Sequence, residues 1–218
     1  MYFESREYAG QKLAAALFEK YRYENCAVVA LSDGGVVIGE QVSGWLHCSL
    51  MMLVVEEIDI PGEGMSFGGI SQRGDFTYNS DISSSEMQEY TSEYHGYLEE
   101  QKREAFQRIN RLVGDGGLVD DVLLRDHTVI LVSDGFSDAA SLDVALDFLK
   151  PIRINRLVVA APVASMGAVN KLHMVADELH ILDVKDNYLE TKHYYDKDDE
   201  PSRELAIEKI NKNIVNWR

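Results

Sequence analysis

Cysteine and positive charge are what this chain has least of. Two cysteines occur in 218 residues. Cys26 and Cys48 are far apart and flanked by apolar residues, which fits two buried thiols better than a disulfide or a metal site. Lysine and arginine number 21 against 37 aspartates and glutamates, a net charge of −16. That balance argues against nucleic acid or an anionic membrane as the main partner; an acidic surface also serves solubility alone. No apolar run approaches the ~18 residues of a membrane span. Met1-Tyr2-Phe3-Glu4-Ser5-Arg6 is polar and leads into an amphipathic segment, so no signal peptide is expected and the expected compartment is the cytoplasm. Neither GxxxxGK[ST] nor GxGxxG is present. His47, His95, His127, His173, His180 and His193 show no metal-ligand spacing. There are no repeats and no low-complexity tract.

What is present is an ordinary core composition, 45% hydrophobic, in a length suited to one α/β domain with an appended element. The chain is organised around Val129-Ile130-Leu131-Val132-Ser133-Asp134-Gly135-Phe136-Ser137-Asp138-Ala139-Ala140-Ser141. The aliphatic run reads as a buried parallel strand. Asp134-Gly135 ends it, and a helix follows to about Lys150, with Leu142, Ala145, Leu146 and Leu149 on one face. A strand, a tight loop and a helix N-terminus together put main-chain N–H groups where α/β proteins bind anions.

Taken in order, Ser5 caps a helix to about Tyr21. Cys26–Leu31 is an apolar strand, Ser32-Asp33-Gly34-Gly35 a turn, Val36–Leu46 a helix and Ser49–Val55 a second buried strand. A helix crossing between two such strands makes them parallel. Glu56–Ser80, with Pro61 and several glycines, reads as a loop and an irregular hairpin over the open end of the sheet. Ser83-Ser84-Ser85-Glu86 has the form of a capping box for one long polar helix to about Val113. After a glycine- and acid-rich connector to Leu124 comes the organising strand. Arg156–Val163 and Glu178–Val184 are further strands around a helix at Ser165–Ala176. A charged, aromatic tail leads to an amphipathic helix from about Pro201. The expected organisation is a single domain over residues 1–218, with 56–124 inserted in it.

The organising stretch resembles the ribose-phosphate loop of the type I phosphoribosyltransferases, in which a hydrophobic strand leads into two adjacent acids and then Thr-Gly-x-Thr. Ser133 and Asp134 stand at the two acids. Asp138, Ala139 and Ser141 stand at the first Thr, the Gly and the last Thr. The likeness extends over nearly the whole chain and is greatest to the stand-alone predicted phosphoribosyltransferases of bacteria and archaea. Their Leu-Pro-Arg-Gly-Gly-Val turn matches Leu31-Ser32-Asp33-Gly34-Gly35-Val36, and their Val-Arg-Lys matches Val55-Glu56-Glu57. Their late strand matches Val158-Val159-Ala160-Ala161-Pro162-Val163-Ala164, and a terminal Tyr-Tyr-x-Asp matches Tyr194-Tyr195 loosely. The resemblance implies an α/β fold with a doubly wound, mostly parallel sheet, carrying an irregular hood and a long helix after the second strand. It implies a pyrophosphate turn at Ser32–Gly35, and a ribose-phosphate loop at Ser133, Asp134, Gly135, Phe136, Ser137, Asp138, Ala139, Ala140 and Ser141.

The departures share a direction. Asp33, Glu56 and Glu57 replace basic residues that face the substrate in the family, and Asp138 adds an acid to the phosphate loop. A carboxylate ~4 Å from one phosphate charge costs roughly 4 kcal/mol at an effective dielectric of 20. Several such contacts exceed the roughly 8 kcal/mol of a micromolar ligand. Asp138, near a helix N-cap, can instead accept the N–H groups that a phosphate would fill. For Asp33, Glu56 and Glu57 the plain alternative is solvated loop acids, and the other is an acidic rim for a cation. The expected function is therefore a phosphoribosyltransferase-like protein that is catalytically degenerate and acts as a ligand-binding or regulatory protein. Two alternatives stand beside it: an active transferase with Mg2+ as cofactor, and a cation or polyamine binder. No catalytic residue and no metal ligand is assigned. A small-molecule ligand is expected, nucleic acid and membrane are not, and a homo-oligomer is left open.

Overall fold

The aliphatic runs become neighbouring strands because nothing in them favours water on either face. In the computed structural model, which describes residues 2–113, 119–137 and 140–215, the elements run α1 (Arg6–Tyr21), β1 (Cys26–Ala30), α2 (Asp33–Leu46), β2 (Ser49–Met52), β3 (Val55–Asp59), β4 (Ser66–Ser71), β5 (Phe76–Tyr78), α3 (Ser84–Glu93), α4 (His95–Val113), α5 (Asp121–Leu124), β6 (Thr128–Val132), α6 (Ala140–Leu149), β7 (Arg156–Ser165), α7 (Met166–Val175), β8 (Glu178–Lys185) and α8 (Arg203–Val215). They group into two units: Met1–Leu53, Gly117–Ser137 and Ile152–Arg218 form one, Val54–Gly116 and Asp138–Pro151 the other.

The first unit is a parallel sheet of order β2-β1-β6-β7-β8. Every residue of β1 and β6 is buried, as a strand covered on both faces requires. Ser5 caps α1 by accepting the Tyr8 N–H at 3.1 Å. Ser32 caps α2 by accepting the Gly35 N–H at 2.8 Å. The expected Ser32–Gly35 turn is thus the cap and first turn of α2 itself. The chain leaves β1 for β2 on one side and returns to β6 on the other. The switch point of this sheet lies between β1 and β6, where open α/β sheets bind ligands.

The second unit holds an antiparallel sheet, β3-β4-β5, and the helices α3, α4 and α6. The expected loop and irregular hairpin over Glu56–Ser80 is this sheet, with one register shift between Ile58 and Asp59. Ile58, Phe67 and Ile70 are buried in it. Gly68 has φ +145, and a Cβ there would meet the Thr77 carbonyl oxygen at 2.0 Å, so the β4–β5 pair needs glycine. The sequence-based strand Ser49–Val55 ends at Met52, and Val55 already belongs to β3. α6 packs on this sheet: Arg73 donates to the Phe148 carbonyl at 2.7 Å and lies 3.8 Å over its ring.

Ser83 and Glu86 form the expected capping box. The helix it starts is broken at Tyr94, whose φ −105 and ψ 24 are not helical. Gly96 just beyond weakens helix there by about 1 kcal/mol relative to alanine. No described helix is long and apolar enough to cross a membrane.

Candidate functional site

The turn after β1 and the loop after β6 meet at the switch point, joined by side chains. Ser32 Oγ donates to Asp134 Oδ1 at 2.6 Å while it caps α2. Asp134 Oδ2 accepts from Arg6 Nε at 2.8 Å. Ser133 Oγ donates to the Gly135 carbonyl at 2.8 Å and lies 3.4 Å from Ser32 Oγ. A Cβ on Gly34 would come within 2.1 Å of Asp134 Oδ2 and 2.6 Å of Arg6 Nε, so glycine is what lets the ion pair lie against the turn. One on Gly135 would meet the Tyr188 hydroxyl at 2.2 Å.

Arg6 is the centre of this network and is completely buried. Beyond Asp134, its Nη1 lies 3.3 Å from Asp199 and 3.7 Å from Asp198, and its Nη2 3.2 Å from Glu200. Its main-chain N–H reaches the Asp199 carboxylate at 3.0 Å. The guanidinium stacks 4.7 Å above the Tyr195 ring. Burial opposes the charge, and the hydrogen bond and charge of Asp134 more than restore it, so the Arg6 pKa is raised. Tyr195 donates its hydroxyl to the Asp134 carbonyl at 2.5 Å. Burial first, and the Asp134 charge second, hold that phenol above its ordinary range. Burial also raises the carboxyls of Glu200 and Asp33.

The structure brings Ser32, Asp33, Gly34, Gly35, Ser133, Asp134 and Gly135 together in the first unit. Asp33, expected among solvated loop acids, is instead paired with Arg203 of α8 at 2.6 Å, because the loop it was assigned to is a helix terminus that α8 reaches. Phe136 is pinned to the sheet: its N–H donates to Val163 and its carbonyl accepts from Ser165. Ser137 is exposed. In the second unit, Ala140 opens α6, Ser141 donates to Glu57, and Glu56 pairs with Arg108 at 3.0 Å. Glu57 also lines a cavity of about 510 Å³ with Asp59, Glu63 and Asp81. Asp138 and Ala139, and with them the expected carboxylate cap of the phosphate loop, lie outside the described residues. Among the described residues no group of three or more His, Cys, Asp or Glu is arranged to hold a metal.

Sequence reading missed Arg6, Tyr188, Asp199, Glu200 and Arg203. One signal was available for Arg6: a cation at the first position of a helix opposes the helix dipole and needs a local anion to hold it there.

No family model matches the chain. Among solved structures it is similar to TT1426 from Thermus thermophilus, at 25% identity and a TM-score of 0.68, covering 100% of this chain and 99% of that one. It is also similar to AQ2163 from Aquifex aeolicus, at 9% identity and 0.51, covering 85% of this chain and 77% of that one. A hypoxanthine phosphoribosyltransferase from Staphylococcus aureus matches at 13% identity and 0.48, over 85% of this chain and 76% of that one. With its parallel five-stranded sheet the chain is an α/β protein, and over its whole length it shares the fold of TT1426.

Proposed function

We propose that this protein is a catalytically degenerate relative of the phosphoribosyltransferases and acts as a ligand-binding or regulatory protein. One observation carries the reading: the acid that would hold the ribose hydroxyls is already used. Both oxygens of Asp134 accept hydrogen bonds from the protein, one from Ser32 and one from Arg6, and the residue is buried. Releasing them to a ligand would leave Arg6 buried and without that partner, which is costly. The same occupancy makes Asp134 a poor magnesium ligand. Ser133, at the position of the other acid, offers a hydroxyl turned to the Gly135 carbonyl. Asp33 stands in the turn where pyrophosphate would sit and is paired there with Arg203.

Calorimetric titration with phosphoribosyl pyrophosphate and Mg2+ tests this. Binding no tighter than roughly millimolar is expected. Micromolar binding, or pyrophosphate release with any purine or pyrimidine base, would establish the active transferase instead.

A second reading has its own support. The cavity in the second unit is lined by Glu57, Asp59, Glu63 and Asp81, with no lysine or arginine among the described lining residues. That lining suits a cation or a polyamine. Titration with spermidine checks it, and heat unchanged by Glu57→Gln with Asp59→Asn would reject that cavity as the site.

A further inference from the structure

The Asp134 network is closed from above by the tail, and the tail is attached unlike any strand of the sheet. After β8 ends at Lys185, the chain passes beside the switch point before it enters α8. On the way Tyr188 and Thr191 fill the space beside Gly135, and a 3-10 turn covers Thr191–Tyr194. The tail then lies beside the N-terminal residues. The Phe3 N–H donates to Tyr194 at 2.9 Å, Asp196 donates to Phe3 at 2.9 Å, and Lys197 donates to Glu4 at 3.1 Å. Phe3 and Tyr195 form an isolated parallel bridge rather than a strand pair. The other ties are Arg6 to Asp199 and Glu200, Lys197 to Glu4 at 2.7 Å, the Tyr195 hydroxyl to the Asp134 carbonyl, Tyr2 to His193 at 3.0 Å, and the packing of the buried Phe3, Tyr194 and Tyr195.

We propose that Asn187–Glu200 is a strap that opens and closes over the switch-point site, with Phe3–Arg6 as its catch. The physical basis is the contrast in attachment. β6 is paired along its whole length on both sides, with β1 and with β7. The strap holds by a single bridge with three main-chain hydrogen bonds to the N-terminal residues, a few side-chain charges and the buried Tyr194 and Tyr195, rather than by a strand ladder. A segment so attached opens at a lower free energy than the sheet beneath it. Both ends are fixed, by β8 and by α8, whose Arg203 stays on Asp33. Opening therefore needs no unfolding of either element. It uncovers Ser32, Ser133, Asp134 and the guanidinium of Arg6 together, so the strap decides when anything reaches them. The inference deepens the degenerate-site reading and rests on its assignment of the site, but its test does not use phosphoribosyl pyrophosphate.

Native-state hydrogen exchange of the wild-type chain, at rising sub-denaturing urea, reads the strap directly. The amides of Phe3, Arg6, Asp196 and Lys197 are expected to exchange as one set, at least about tenfold faster than those of β1 and β6. In Asp199→Asn with Glu200→Gln, this set speeds up by a further several-fold while β1 and β6 are unchanged. A Ser133→Cys reporter adds a chemical readout. It should react slowly with a maleimide in the otherwise wild-type chain and faster with the two tail substitutions, while the buried Cys26 and Cys48 stay unreactive. Exchange of the four amides at the rate of β1 and β6 would overturn the proposal, as would a reporter indifferent to the tail substitutions. Failure here with weak phosphoribosyl pyrophosphate binding would leave the degenerate reading intact; the reverse outcome would overturn that reading and keep the strap.

Discussion

A single buried arginine explains most of the site. Arg6 sits at the first position of α1, with its charge against the positive end of the helix, and only carboxylates can hold it there. Asp134 supplies the most buried of them. Removing one partner of such a pair strands the other, and Arg6→Met is expected to cost about 3–5 kcal/mol in urea denaturation. Adding Asp134→Asn should recover part of that loss, because no buried charge is then left alone. A cost below about 1 kcal/mol for Arg6→Met, the usual value of an exposed pair, would show that Asp134 is satisfied from elsewhere. Lysine is not an equivalent replacement. It cannot reach Asp134, Asp199 and Glu200 with separate donors or stack flat on Tyr195.

The elements follow local rules wherever side chains beside one another in sequence decide the outcome. The box at Ser83 and Glu86 is local, and both of its hydrogen bonds form. Ser83→Ala should lower the stability of the chain by about 1 kcal/mol, and restoring the cap with Asp should recover most of it. An unchanged thermal midpoint in the alanine variant would mean that α3 is held by packing alone. The break at Tyr94 is local only in part, through the nearby Gly96. The ring meets Phe67 edge-on at 6.4 Å, and that contact comes from another element. The fold was legible for the same reason: continuous aliphatic runs such as Val129–Val132 have no polar face to show to water. The antiparallel sheet was less legible, because Gly68-Gly69 carry no side chains and leave no alternation to read.

Across the whole molecule, acidity sets how stability depends on pH. At pH 7 the net charge of −16 repels itself, and acidification toward the isoelectric point of about 4.7 relieves it. Glu178 works in the opposite sense. Its carboxylate is held at about 2, first by hydrogen bonds from Lys20 and Tyr21. Its contribution is therefore complete above its ordinary value near 4.5 and fades as pH falls toward 2. Glu178→Gln should lower the thermal midpoint at pH 7 and leave it nearly unchanged near pH 2. An equal loss at both pH values would assign Glu178 a role independent of its charge.

The sequence by itself determined the aliphatic strands of the sheet and the helix caps at Ser5 and Ser83, because each depends on residues within a few positions of one another. It also placed Ser32, Asp33, Ser133 and Asp134 as candidates. Only the tertiary structure decided what became of them. Arg6 and Asp199 are separated by almost the full length of the chain, and so are Phe3 and Tyr195. Charges that far apart carry no mutual signal in a linear sequence. The fold brings Arg6 within hydrogen-bond distance of both Asp134 and Asp199.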